Sequence, residues 1–213
     1  MQNNFDFVAP FYDQLAGLIF GKVIRNSQTW LLPFIPENAT ILLIGGGTGW
    51  LLTKILRRTQ ASKIVYLEAS GKMLERSKKR YALGPKNSRT NVEFRLGTES
   101  QLAEKENFDI IITPFLLDLF LPENLQELMA KLFAHLKPDG LWLIADFEPE
   151  NAIRFWQKSL LNIMVQFFKV TANLQSNELP DLNAAFARFP LKFLQKTHFY
   201  HKLIFAAAYQ KPA

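Results

Sequence analysis

The chain has 213 residues, 48% of them hydrophobic, with 25 Lys and Arg against 19 Asp and Glu for a formal net charge of +6, and no Cys. That composition is too apolar for a disordered chain, and at roughly 150 residues per domain the length fits one domain with a core of its own. The lack of Cys excludes disulfides, thiolate nucleophiles and Cys-ligated zinc, and it suits a reducing, cytoplasmic setting.

Met1 to Asp6 show no basic segment followed by an apolar one, and no run approaches the roughly 18 apolar residues of a membrane span, so neither export nor anchoring is expected. The aromatic-rich stretch from Phe5 to about Leu32 reads as helical. From residue 40 onward, short runs rich in Ile, Leu and Val alternate with longer amphipathic stretches, the pattern of βαβ units. The predicted strands are Thr40–Ile44, Lys63–Glu68, Asn91–Leu96, Phe108–Thr113 and Leu141–Asp146, nearly continuously apolar as in a parallel sheet covered on both faces. Ser70 is placed to cap a helix over 71–83, Pro122 suits the first turn of a helix over 122–136, and the Lys137-Pro138-Asp139-Gly140 turn stops it. Beyond the sheet, 151–170 sets Trp156, Leu160, Met164, Phe167 and Phe168 on one helical face. Thr171–Asp181 then reads as a loop, and Leu191–Tyr209 as a hairpin turning around Phe199–His201. The expected fold is α/β: a doubly wound, mostly parallel, seven-stranded sheet with a C-terminal antiparallel hairpin. It forms one domain, with a helical cap (1–39), a core (40–146) and a C-terminal helix, loop and hairpin (147–213).

The most informative segment runs Ile41-Leu42-Leu43-Ile44-Gly45-Gly46-Gly47-Thr48-Gly49-Trp50, an apolar strand entering glycines and then a helix. Glycines there let the backbone turn sharply and approach a ligand, whose polar groups meet free N–H groups at the helix start. A dinucleotide fingerprint needs a third glycine where Trp50 stands, and Lys54 lies too far along the helix for a P-loop lysine. About 20 residues later, Glu68 ends the second strand beside the same crevice, where a carboxylate can accept both hydroxyls of a ribose; the alternative is a surface Glu near a helix N-terminus.

On these residues the chain resembles the class I S-adenosylmethionine-dependent methyltransferases, a Rossmann-like fold, over nearly its whole length. Ile41–Gly49 is similar to their first motif and 63–80 (KIVYLEASGKMLERSKKR) to their second strand and following helix. Phe108–Thr113 and Leu136–Ile144 (LKPDGLWLI) are similar to the fourth and fifth strand motifs. Phe7-Val8-Ala9-Pro10-Phe11-Tyr12-Asp13 resembles the ubiquinone/menaquinone methyltransferase-like branch. The resemblance implies S-adenosylmethionine as cofactor and S-adenosylhomocysteine as product. It implies a cofactor site drawn from Tyr12, Gly45, Gly46, Gly47, Thr48, Gly49, Glu68, Ala69, Met73, Thr98, Glu99, Thr113, Pro114 and Phe115. Two positions depart from the pattern: Leu43 stands where the family usually has Asp or Glu, and Thr98 where it often has Asp. Glu99 is a substitute for the latter, although Thr98 with Gln101 also reads as a capping box.

A sulfonium methyl donor is already activated, so holding an acceptor in line and excluding water can suffice without a catalytic side chain. Where the acceptor must lose a proton, candidate bases are Tyr12, Asp146, His198 and His201, which also read as core, helix cap and surface hairpin residues respectively. His135 reads as a partner of helix-terminal carbonyls. Phe147, Phe155, Trp156, Met164, Phe167 and Phe168 give an apolar acceptor pocket, or else pack on the sheet. The reading is a methyltransferase for a small apolar or aromatic acceptor, without a metal. Two others stay open: a non-catalytic cofactor-binding protein, motivated by Leu43 and Thr98, and a nucleic-acid methyltransferase, motivated by the +6 charge. The basic residues look dispersed, with small clusters at Arg57-Arg58 and Lys78-Lys79-Arg80, and read as a solvated face without a nucleic-acid partner.

Overall fold

In the computed structural model, which describes residues 22–84, 90–148 and 180–213, a seven-stranded sheet has the order β3-β2-β1-β4-β5-β7-β6. The strands are β1 (Thr40–Ile44), β2 (Lys63–Glu68), β3 (Asn91–Leu96), β4 (Phe108–Pro114), β5 (Leu136–Phe147), β6 (Lys192–Phe199) and β7 (Ile204–Gln210). Strands β1 to β5 pair in parallel, and β7 inserts antiparallel between β5 and β6. The order reverses between β1 and β4, and in such sheets ligands bind outside the strand ends at the reversal.

Helices α1 (Lys22–Trp30), α2 (Trp50–Arg58) and α3 (Gly71–Ala82) cover one face; α4 (Pro122–Ala134) and α5 (Leu182–Phe186) cover the other. Alternate residues of each central strand therefore feed two cores: Leu43, Ile112 and Leu143 point to the first, Leu42, Ile111 and Trp142 to the second. Burial on both faces is why these strands carry unbroken Ile, Leu and Val.

The ends follow local chemistry. Ser70 caps α3 by accepting from Met73 N at 3.2 Å, and Pro122 opens α4. Two details correct the sequence expectation, and a third, the helix over 182–186, adds to it. The 137–140 run lies inside β5 rather than in a free turn, because Asp139 takes a left-handed φ of 60° and Lys211 N donates to Gly140 O at 2.9 Å. Residues 182–186 are helical, capped by Asp181 accepting from Ala184 N. Thr98 and Gln101 form no side-chain cap; Thr98 Oγ1 lies 3.0 Å from Ser100 Oγ instead. The hairpin turns through three consecutive left-handed residues, Tyr200, His201 and Lys202. The predicted helix over 151–170 lies outside the described residues, as do most of the predicted N-terminal helix and of the 171–181 loop. Among the described residues no helix is long and apolar enough to cross a membrane.

Candidate active site

The glycine loop leaves β1 at the sheet's reversal point. Gly45, Gly47 and Gly49 have φ of 71°, 62° and 83°, values side chains resist, so the chain coils back on itself before α2. At Gly46 a Cβ would sit 2.5 Å from the Tyr66 ring, whereas at Gly47 the nearest atom would be Met73 Sδ at 4.0 Å. The loop is thus packed tightly from below and open above Gly47.

Three groups of the β2–α3 segment hold it there. The buried Glu68 carboxylate accepts from Gly47 N at 2.8 Å with one oxygen and from Ser70 N at 2.9 Å with the other. These two donors fix the orientation of the carboxylate. Tyr66, fully buried, donates its hydroxyl to Gly47 O at 2.7 Å; burial and the nearby Glu68 charge raise its pKa well above 10. Ser77 of α3 lies where a Cβ on Gly49 would be, 2.8 Å away. Tyr66 and Ser77 escaped the sequence reading, although a phenol inside an otherwise aliphatic strand two residues before Glu68 was the available signal.

Thr48 is buried and its Oγ1 accepts from Arg80 at 3.1 Å. Ala69 follows Glu68 at the same strand end. Leu43 is fully buried between Tyr66 and Ile112, so the position under the loop is apolar. Beyond β3, Glu99 pairs with Lys131 of α4 at 3.1 Å.

The ends of β4 and β5 hold a different chemistry. Thr113 Oγ1 accepts from Trp142 Nε1 at 3.1 Å, which turns it toward the second core. Pro114 pairs with Ala145, and Phe115 follows with φ 53°, an unusual value for a bulky residue. Phe115 packs edge-on against Phe147 at 5.1 Å, both buried in the first core. On the opposite side of the sheet Asp146, fully buried, accepts from Leu117 N at 3.0 Å and Phe147 N at 2.9 Å. It adjoins Asp118, whose buried Oδ1 has no hydrogen-bond partner. Burial pushes the Asp118 carboxyl up to about 6; burial and the Asp118 charge raise Asp146 well above the usual range. The pair thus keeps a proton that exposed carboxyls would lose. Asp146 therefore anchors the β4–α4 connection rather than capping a following helix.

The remaining candidates separate. His198 Nε2 contacts Glu148 Oε2 at 2.8 Å on β6, three strand steps from β4, about 14 Å at the usual spacing. His201 lies exposed in the hairpin turn beside Tyr200. His135 Nδ1 meets Glu106 O at 2.6 Å, across to the β4 side rather than on its own helix. Tyr12, Phe155, Trp156, Met164, Phe167 and Phe168 lie outside the described residues. Among the described residues no His, Cys, Asp and Glu group could hold a metal ion.

An adenosyl cofactor fits this geometry: open space above Gly47, the Met73 thioether beside it, and an oriented carboxylate for a ribose diol. The methyltransferase domain family matches residues 41–140. A malonyl-[acyl-carrier protein] O-methyltransferase of Halalkalibacterium halodurans is 32% identical over 119 residues, 54% of this chain and 41% of that protein. The chain spans about half the length of the curated relatives it matches. Among solved structures, the complex of the Haloferax volcanii Trm112 methyltransferase activator with a methyltransferase includes a chain matching at TM-score 0.71 and 13% identity, over 100% of both chains. The N-methyltransferase NodS of Bradyrhizobium japonicum, solved with S-adenosylhomocysteine, matches at TM-score 0.62 and 13% identity over 92% of this chain and 89% of that one. Residues 41–140 thus form a methyltransferase domain whose strand order and oriented glycine loop are similar to those of the class I S-adenosylmethionine-dependent methyltransferases.

Proposed function

We propose that the chain methylates a small, apolar or aromatic acceptor in the cytoplasm, working as a single domain and using S-adenosylmethionine. The observation that carries this reading is the Glu68 carboxylate held 2.8 Å from Gly47 N at the open mouth of the glycine loop. That arrangement supplies a ribose contact and an exposed loop backbone in one crevice, with Met73 as its apolar wall. Bound there, the cofactor supplies an electrophilic methyl group. The chain's own task is then to hold the acceptor in line and keep water out, which alone is worth several kcal/mol, about 7–11 in ideal intramolecular systems.

The acceptor belongs at the ends of β4 and β5, the neighbours of the loop on its open side. Phe115 and Phe147 give that side an apolar wall. Thr113, Pro114, Thr98 and Glu99 complete the predicted cofactor rim.

Calorimetric titration with S-adenosylhomocysteine, for the wild type and a folded Glu68→Ala variant, tests the cofactor site; a screen of quinols and phenols then tests the acceptor class. Micromolar binding lost in the variant and turnover of a panel member are expected. Tight binding with no turnover on a broad panel would favour a non-catalytic cofactor-binding protein, the role that an apolar Leu43 beneath the loop also fits.

A further inference from the structure

The positive charge of the chain is concentrated on one face. Helices α1, α2 and α3 carry ten Lys and Arg against one acid, Glu75, while the remaining 15 Lys and Arg stand against 18 Asp and Glu. Apart from these three helices the chain is slightly acidic. Between α2 and α3 lies a groove of about 480 Å³, lined by Thr48, Thr53, Arg57, Arg76, Lys79 and Arg80, with no carboxylate in its wall. Its size falls within the range of small-molecule sites.

Helix dipoles account for part of this, because Arg57, Lys79 and Arg80 occupy last turns, where cations are favoured. Arg76 lies a turn earlier, outside that last turn, and still lines the groove. The donors suit phosphate in particular: guanidinium forks make paired bonds to its oxygens, and hydroxyls supplement them. Arg80 is already held at the upper end by Thr48 Oγ1 at 3.1 Å, so less side-chain freedom is lost on binding. S-adenosylmethionine carries no phosphate, and of the loop residues 45–49 Thr48 alone lines the groove, so the cofactor does not explain its four cations.

We propose that the α2–α3 groove is a second binding site, for a phosphate-bearing ligand with two or more negative charges. Its source is either a small organic phosphate or the phosphates of a nucleic acid strand. Inorganic pyrophosphate is titrated calorimetrically at about 0.15 M ionic strength into the wild type and an Arg57→Ala/Arg76→Ala variant, with S-adenosylhomocysteine binding as the fold control. One saturable site is expected, weakened about tenfold or more in the variant, with S-adenosylhomocysteine affinity within about twofold. A nucleoside diphosphate and a short single-stranded RNA then compete against pyrophosphate. Displacement by the diphosphate alone assigns a small ligand, and displacement by both assigns a strand-accessible phosphate site. No saturable pyrophosphate binding, or equal affinity in wild type and variant, overturns the proposal. RNA binding that pyrophosphate cannot displace and that the variant leaves intact also overturns it, because the charged face would then act without the groove.

Discussion

The two halves of the site handle buried polar groups in opposite ways. Around the glycine loop the buried polar groups are satisfied by backbone groups: Glu68 by Gly47 N and Ser70 N, Tyr66 by Gly47 O, Ser70 by Met73 N. At the ends of β4 and β5, two carboxyl groups adjoin each other in the core, one with an oxygen left unpaired, beside a phenylalanine in left-handed conformation. The first half is preorganised; the second holds charge and strain in reserve, as residues that must meet varied acceptors often do.

The largest expected effect tests the reserve directly. With Asp118 pushed up to about 6 from an ordinary value near 3.8, the folded state binds the proton more tightly than the unfolded one. Its stabilising contribution is complete below pH 3.8 and is lost as pH rises through about 6, a loss on the order of 3 kcal/mol. Urea denaturation of the wild type between pH 4 and pH 7 should follow that decline, and Asp118→Asn should flatten it. An unchanged profile in the variant would remove the carboxyl pair from the comparison. Glu93, which Arg95 and Lys63 hold down to about 2, loses its stabilising contribution only as pH falls below about 4.5, and so leaves this window to the Asp118–Asp146 pair, whose joint decline Asp118→Asn should make shallower.

Next in size is the oriented carboxylate. Hydrogen bonds to a charged group are worth about 1.5–3 kcal/mol, so Glu68→Ala should weaken S-adenosylhomocysteine binding by about 10- to 150-fold in calorimetry. Asp118→Asn should leave that affinity within about twofold; equal losses in the two variants would mean that the halves are not separate. Smaller again is Tyr66→Phe, which leaves the Gly47 carbonyl without its donor and should cost about 1 kcal/mol, a fall in Tm of about 2–4 °C.

What the sequence revealed divides along the same line. The central strands β1 and β4 were legible because burial on both faces leaves a nearly unbroken Ile and Leu signature, whereas the edge strand β3 (NVEFRL) is only half-buried; the loop was legible because glycines at 45, 47 and 49 have few other uses before a helix. Tyr66 was hidden by its strand, since a phenol at a core position reads as packing until the carbonyl above it is seen. Nothing near Asp118 in the sequence marked it, because its partner Asp146 lies 28 residues on. The 137–140 run carries strong turn residues, yet the backbone bonds from Asp139 N to Lys211 O and from Lys211 N to Gly140 O draw it into the sheet, a tertiary override of local propensity. The basic face was missed because charge was read by runs along the chain, whereas α1, α2 and α3 assemble it from three separate segments.

The smallest effect bounds the acceptor half. His198 is the residue type most often chosen as a base at neutral pH, and Glu148 orients it as a general base requires. Position argues otherwise: β5 and β7 separate β6 from β4, and a base about 14 Å from the strand end that faces the loop is beyond the roughly 3 Å reach of proton transfer. Lys196 and Asn183 bind the same carboxylate, so Glu148 gathers three partners that tie α5 and β6 to the end of β5. His198→Ala should therefore leave methyl transfer within about twofold at saturating acceptor and change stability by about 0.5 kcal/mol, the size of an exposed pair. A fall in kcat of about 100-fold with the fold intact would move the acceptor to the β6 edge and erase the boundary between a reactive strand end and a structural one.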